Sequence, residues 1–194
     1  VSLDDWGRTL RADEIVVNCR DDAGLATAAK QGVVLAARSG DIHRSLGAPV
    51  AERATSAVTL DLIECRVDGQ LYRAAAHVVA RRPGRSGWWR GPIVMVMVSG
   101  HLGRFEPAPR AHPGDGLLDV IEVSESMNTR QRMMARRRSR TGSHLPHPDI
   151  STTRVRDLRR SFDEQLIVFV DGASVGATRH LDVAVVPAAY EHAV

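Results

Sequence analysis

The chain has 194 residues, 43% of them hydrophobic, with 26 lysines and arginines against 23 acids and a formal net charge of +3, enough for one full domain or two small lobes with a core that needs no staples. Cys19 and Cys65 lie in apolar runs and read as buried thiols of a reducing compartment, which excludes a disulfide framework. The longest apolar runs, such as Ile93 to Val98, fall far short of the roughly 20 residues of a membrane span, and no signal-peptide pattern opens the chain, so a soluble, cytoplasmic protein is expected.

Ala12 to Cys19, A-D-E-I-V-V-N-C, predicts a buried strand bounded by the charged turn Arg20-Asp21-Asp22. Leu25 to Lys30 is alanine-rich and predicts a helix. Gly32 to Ala36 predicts a second buried strand, and Asp41 to Leu46 a helix stopped by Gly47 and Pro49. Strand, helix, strand, helix is the pattern of a small parallel α/β unit. From Val58 the period changes. Val58 to Val67, Leu71 to Ala80, Ile93 to Val98, Leu117 to Val123, Gln165 to Val170 and His180 to Val186 are strand-like, with turn signals at Asp68-Gly69, Pro83-Gly84, Asp115-Gly116 and Asp171-Gly172. That punctuation predicts a β-sandwich or barrel. Met127 to Arg140 interrupts it as a helix capped by Asn128 or Thr129. The boundary falls near Arg53 to Ala57, giving a reduced α/β lobe over residues 1–55 and a β-sandwich lobe over 56–194.

Every cation but Lys30 is an arginine, and six fall between Arg130 and Arg140 without an acid among them. Such a run is either a solvated helix face or a surface for phosphate groups. No aromatic residue interleaves it, which argues against a single-stranded nucleic acid partner. Trp88-Trp89 either packs over the sandwich edge or touches a membrane interface. His144 and His147 sit in a proline-containing loop without a cysteine or acidic ligand set, so zinc is not expected. The serines lack a G-x-S-x-G context, which leaves acyl transfer unsupported.

Gly32 to Pro49 reads G-V-V-L-A-A-R-S-G-D-I-H-R-S-L-G-A-P; it is followed by L-G-R-F, P-R-A-H-P-G-D-G-L-L-D-V, R-T-G-S-H-L-P-H-P-D-I, V-F-V-D-G and V-A-V-V-P-A-A-Y. In order and spacing these pieces, over most of the chain from Ala12 onward, resemble the bacterial diacylglycerol kinase-like lipid kinases, which share their fold with NAD kinases. The resemblance implies ATP-dependent phosphorylation of a lipid hydroxyl, with ATP and Mg²⁺ as cofactors and a lipid substrate or anionic membrane surface as partner. It puts nucleotide-binding residues at Asp21 and Asp22 in the first loop and at Arg38, Ser39, Gly40 and Asp41 in the second. It also implies a Mg²⁺ site at Asp115, through its side chain and the carbonyls of His112 and Leu117. Oxygen ligands of this kind suit Mg²⁺, although Asp-Gly after Pro113 equally reads as a plain turn.

The departures concern chemistry. The family's G-G-D-G-T is C-R-D-D-A here, keeping Asp21, and its G-T-G-N-D is A-R-S-G-D, keeping Asp41. Side chains in such loops obstruct close approach of backbone amides to phosphate. The family's D-G-E is D-G-A, with Ala173 where the general base is expected. Measured against relatives, there is room for little more than one helix upstream of Ala12. The expectation is weak or absent kinase activity. The alternative is a non-catalytic pseudokinase acting as a binding or scaffold protein at the membrane periphery, contacting anionic lipid through Arg136, Arg137 and Arg138.

Overall fold

The computed structural model describes residues 7–29, 32–49 and 53–194. Strands β1 (Gly7–Thr9) and β2 (Val16–Cys19) precede helix α1 (Asp22–Ala28), strand β3 (Val34–Ala37) and helix α2 (Asp41–Ser45). β2 and β3 run parallel, Val16 beside Val34 through Cys19 beside Ala37, so the expected α/β unit forms. The rest is β4 (Ser56–Val67), β5 (Gln70–Ala74), β6 (His77–Arg81), β7 (Ile93–Met97), β8 (Leu118–Val123), helix α3 (Thr129–Arg138), β9 (Ile150–Val155), β10 (Asp157–Val170) and β11 (Ala173–Ala193).

The small α/β lobe and the β-sandwich lobe share one hydrogen-bonded sheet, in the order β1-β4-β11-β10-β6-β7-β8-β9, with β5 on β4 and β3, carrying β2, on β11. Two Asp-Gly pairs make its tight hairpins. Asp68-Gly69 and Asp171-Gly172 hold φ at 49°, 81°, 43° and 84°, the mirror-image turn whose twist suits flanking strands. Val67 therefore faces Gln70, and Val170 faces Ala173. Leu25, Leu35, Ile42, Leu60, Ile63, Leu166 and Leu181 are fully buried in the main core, each contributing about 1.5–3 kcal/mol through lost water contact.

Several expectations change in three dimensions. The strand predicted from Ala12 begins at Val16 and is buried only at Cys19: among the described residues β2 pairs with β3 alone, leaving Ile15 and Val17 80% and 41% exposed. Upstream of Ala12 the described residues include the short strand β1. The helix expected from Leu25 starts at Asp22, and its predicted end, Lys30, lies outside the described residues. Leu71 to Ala80 is not one strand; it breaks at Ala75 and Ala76 into β5 and β6. The last two strands extend well beyond their apolar cores, and β9 adds an exposed strand.

Helix α3 lacks an apolar stripe, since Met133 and Met134 are 57% and 45% exposed. Its start is fixed by a capping box, in which Asn128 and Gln131 exchange side-chain-to-backbone hydrogen bonds at 3.0 Å. Arg132, buried, holds it to the sheet by donating to the carbonyls of Met127, Gly91 and Ser124 at 2.8, 2.6 and 2.7 Å.

Candidate functional site

Where α1, α2 and the β5–β6 break meet, the fold brings Asp22, Asp41, Asp171 and His77 together. Asp21 is the N-cap of α1, accepting from Gly24 N at 3.1 Å, and this turns the next residue, Asp22, inward. The Asp22 carboxylate accepts from the amides of Asp41 and Ile42 at 2.6 and 3.1 Å. Gly40, with φ of 117°, leaves room for it: a Cβ there would lie 2.4 Å from Asp22 Oδ1. Asp41 accepts from Gly103 N and Arg44 Nη1, both at 2.9 Å, and its Oδ2 lies 3.5 Å from His77 Nδ1. Asp171 accepts from the amides of Ala75, Ala76 and His77 at 2.7, 3.0 and 3.0 Å.

Burial sets the electrostatics of the cluster. It pushes Asp22 up to about 6 against the opposing pull of the Asp41 and Ile42 amides, with Asp171 and Asp41 adding to the rise. It pushes Asp171 up to about 6 as well, against the amides of His77, Ala75 and Ala76. The same burial lowers His77 despite the attraction of Asp41 and Asp22, and it raises the Tyr190 hydroxyl, further raised by neighbouring carboxylates.

The sequence-predicted nucleotide residues are thus neighbours, but the carboxylates of Asp21, Asp22 and Asp41 are already hydrogen-bonded within the loops. The α2 amides that could meet a phosphate already meet Asp22. Ser39 Oγ donates to Arg20 O at 2.8 Å, and Arg38 N to Cys19 O at 3.1 Å, which ties the two loops together. Ala173 is exposed on the first residue of β11 and offers no proton acceptor. Asp171, two residues away, has its carboxylate occupied by three amides.

The turn at 112–119 is held by its own side chains and by Arg154 and Asp61. Asp115 Oδ1 accepts from Leu117 N at 3.1 Å, an Asx turn, and Asp115 Oδ2 pairs with Arg154 on β9. Arg154 Nε also lies 3.4 Å from Asp119. His112 Nδ1 accepts from Gly114 N at 3.3 Å. Asp61, hidden in the apolar run of β4, was not singled out from sequence; it accepts from Gly116 N and Ala188 N at 2.7 and 2.9 Å and anchors the turn. An acid inside T-L-D-L-I was the available signal. Burial raises Asp61, and Asp115 raises it further. Among the described residues no group of three or more His, Cys, Asp or Glu could hold a metal ion. His147 Nδ1 accepts from Asp149 N at 3.1 Å.

Between α3 and the sheet lies a cavity of about 280 Å³, at the lower edge of the roughly 300–1,000 Å³ of small-molecule sites. Its walls include Trp88, Trp89, Ile93, Met95, Phe105 and Ile121. Of the predicted membrane contacts, Arg136 reaches its mouth, with Cζ 5.4 Å from the Trp89 ring centroid, whereas Arg137 and Arg138 are exposed on α3. Sequence reasoning missed the cavity because its lining comes from separate strands.

Residues 59–193 match the family described as the YegS C-terminal NAD kinase beta sandwich-like domain. Solved structures described as diacylglycerol kinases from Bacillus anthracis strain Sterne share the fold. One is 15% identical with a TM-score of 0.65, covering 93% of this chain and 77% of that one. A second is 16% identical with a TM-score of 0.61, covering 93% and 75%, and a third is 14% identical with a TM-score of 0.62, covering 91% and 77%. Among curated proteins no match is found.

Proposed function

Because the chain belongs to the family of the YegS C-terminal NAD kinase beta sandwich-like domain and has the diacylglycerol kinase-like fold, we propose that it binds the apolar part of a lipid and transfers phosphoryl groups weakly or not at all. The observation that carries this reading is the apolar cavity under α3, which persists beside a loop whose α2 amides are already taken by the Asp22 carboxylate. An acyl chain is the ligand such a lining suits, since it gains from leaving water and needs no polar partner along its length.

The fold family implies ATP and a metal ion in general, but the residues present fit neither. The Asp22 carboxylate sits on the Asp41 and Ile42 amides, where a phosphate would meet like charge. Arg154 already supplies the positive charge beside Asp115. The outward side of α3 supports the accompanying reading of contact with anionic membrane, because exposed Met133 and Met134 stand among Arg130, Arg137 and Arg138.

Trp88 and Trp89 line the cavity, so tryptophan fluorescence reports its occupancy. Titration with monolauroylglycerol below its micelle concentration is expected to give a saturable change that Ala135→Phe, which narrows the cavity, abolishes without lowering the melting temperature appreciably. A change that rises linearly, or one indifferent to the substitution, would contradict the proposal.

A further inference from the structure

Three guanidinium groups gather round one ring at the mouth of the cavity. The Cζ atoms of Arg136, Arg104 and Arg140 lie 4.8, 5.4 and 5.9 Å from the Phe105 centroid. Arg136 also reaches Trp89, so it stands between two rings that line the cavity. Among the described residues none of the three forms an ion pair with an acid. The adjacent acid, Glu106, lies instead against Gly142, where a Cβ would meet its Oε2 at 3.2 Å. The cavity lining itself contains no Asp or Glu, and its charged members are Arg132 and Arg136. Arg132 Nη1 is buried without a hydrogen-bond partner.

Like charges brought together without a counter-ion repel one another, and ring quadrupoles offset this only in part. An anion arriving at Phe105 removes that repulsion and gains charge-assisted hydrogen bonds from planar, multidentate donors. We propose that the cavity and the Arg104, Arg136 and Arg140 cluster form one amphiphile site, whose ligand is an acyl chain carrying a phosphate monoester head and not the neutral alcohol. This rests on the reading that the cavity takes an acyl chain. The apolar part lies among Ile93, Met95 and Ile121, and the phosphate lies beside Phe105.

The test is calorimetric titration of the full chain, at low salt, with three probes: monolauroylglycerol, lauroyl lysophosphatidate and inorganic phosphate. The lysophosphatidate is expected to bind at least about tenfold more tightly than the neutral lipid, given the attraction of clustered arginines near anionic headgroups, and added salt should shrink the preference. Arg104→Gln with Arg140→Gln, at two positions outside the cavity lining, should reduce the preference at least several-fold while monolauroylglycerol binding persists. The double variant keeps both ring contacts of Arg136, and melting curves confirm that each variant is folded. Equal affinity for the two lipids overturns the inference and leaves the acyl-chain reading standing. Failure of both lipids to bind overturns both. Inorganic phosphate binding as tightly as the lysophosphatidate would show an anion site without a chain site, and would overturn it too.

Discussion

Asp22 accepts the backbone N–H of Asp41 at 2.6 Å, so a side chain from the first turn of α1 closes the start of α2. One internal carboxylate therefore does for this loop what a bound phosphate would do in a nucleotide site, and the position is fixed by an ordinary capping event one residue earlier, at Asp21.

That burial leads to a pH prediction. Asp22 moves from its ordinary 3.8 to about 6 on folding, so the folded chain binds a proton more readily than the unfolded chain between these values. Its contribution to stability grows as pH falls through the window and is lost as pH rises through about 6. Asp22→Asn lacks this response. The stability gap between parent and variant should widen in favour of the parent by about 1–3 kcal/mol from about pH 7 to about pH 4.5. Thermal melting across that range measures it, and a constant gap would contradict the assignment.

His192 carries the opposite sign. Its Nε2 accepts from Ala37 N at 3.1 Å and its Nδ1 donates to Ala193 O, while burial lowers it from 6.5 to about 4. The contribution is complete above about pH 6.5 and disappears as pH falls toward about 4. His192→Phe should cost about 1–3 kcal/mol at neutral pH by stranding the Ala37 amide, and should flatten the acid limb of the melting profile. An unchanged limb would show that another group controls it.

Magnesium provides a third test. In the parent chain, millimolar Mg²⁺ should leave the melting temperature unchanged, because Arg154 neutralises Asp115. Arg154→Gln should lose about 0–1 kcal/mol, the ordinary worth of a partly exposed ion pair, and Mg²⁺ should restore part of that loss. Stabilisation of the parent by Mg²⁺ would show that the arginine does not fill the cation's place.

Phosphoryl transfer from radiolabelled ATP to diacylglycerol in mixed micelles should fall well below the roughly 1–100 per second of ordinary kinases. Ala173→Glu alone should not restore it, since the Asp22 carboxylate still covers the α2 amides. Recovery by that single change would place the whole deficit in the missing base.

Sedimentation with anionic liposomes tests the outward side of α3. Arg137→Gln with Arg138→Gln should lower the bound fraction, and salt should lower it further. Equal binding to neutral liposomes would return these residues to a solvated face.

Local chemistry was readable from the sequence. The hairpins at Asp68-Gly69 and Asp171-Gly172 and the Asn128 cap depend on a few adjacent residues, and they form as the sequence indicates. What escaped was set by distant partners. The run from Leu71 to Ala80 gives no hint of its break, because the break is gripped by Asp171 from another hairpin. The polar stretches Asp157 to Ser161 and Ser174 to Thr178 carry no apolar alternation, yet they pair in the β10–β11 ladder on either side of a register shift. Motif register singled out Asp21 as the surviving family residue, whereas helix capping turns Asp22 inward to the Asp41 loop. Asp61 and His77 were concealed inside apolar runs whose interior neighbours only the fold supplies.

The place of β3 on β11 has a consequence for biosynthesis. Val34 pairs with Glu191 and Leu35 with His192, so the α/β lobe borrows its sheet neighbour from a strand made much later in synthesis. Among the described residues β2 reaches the rest of the sheet only through β3. That lobe must therefore wait, incompletely paired, until β11 emerges, and closing so long a loop is the slow kind of contact. Ile15 and Val17 stay exposed even when the sheet is complete, so this apolar edge is open to a chaperone throughout that wait.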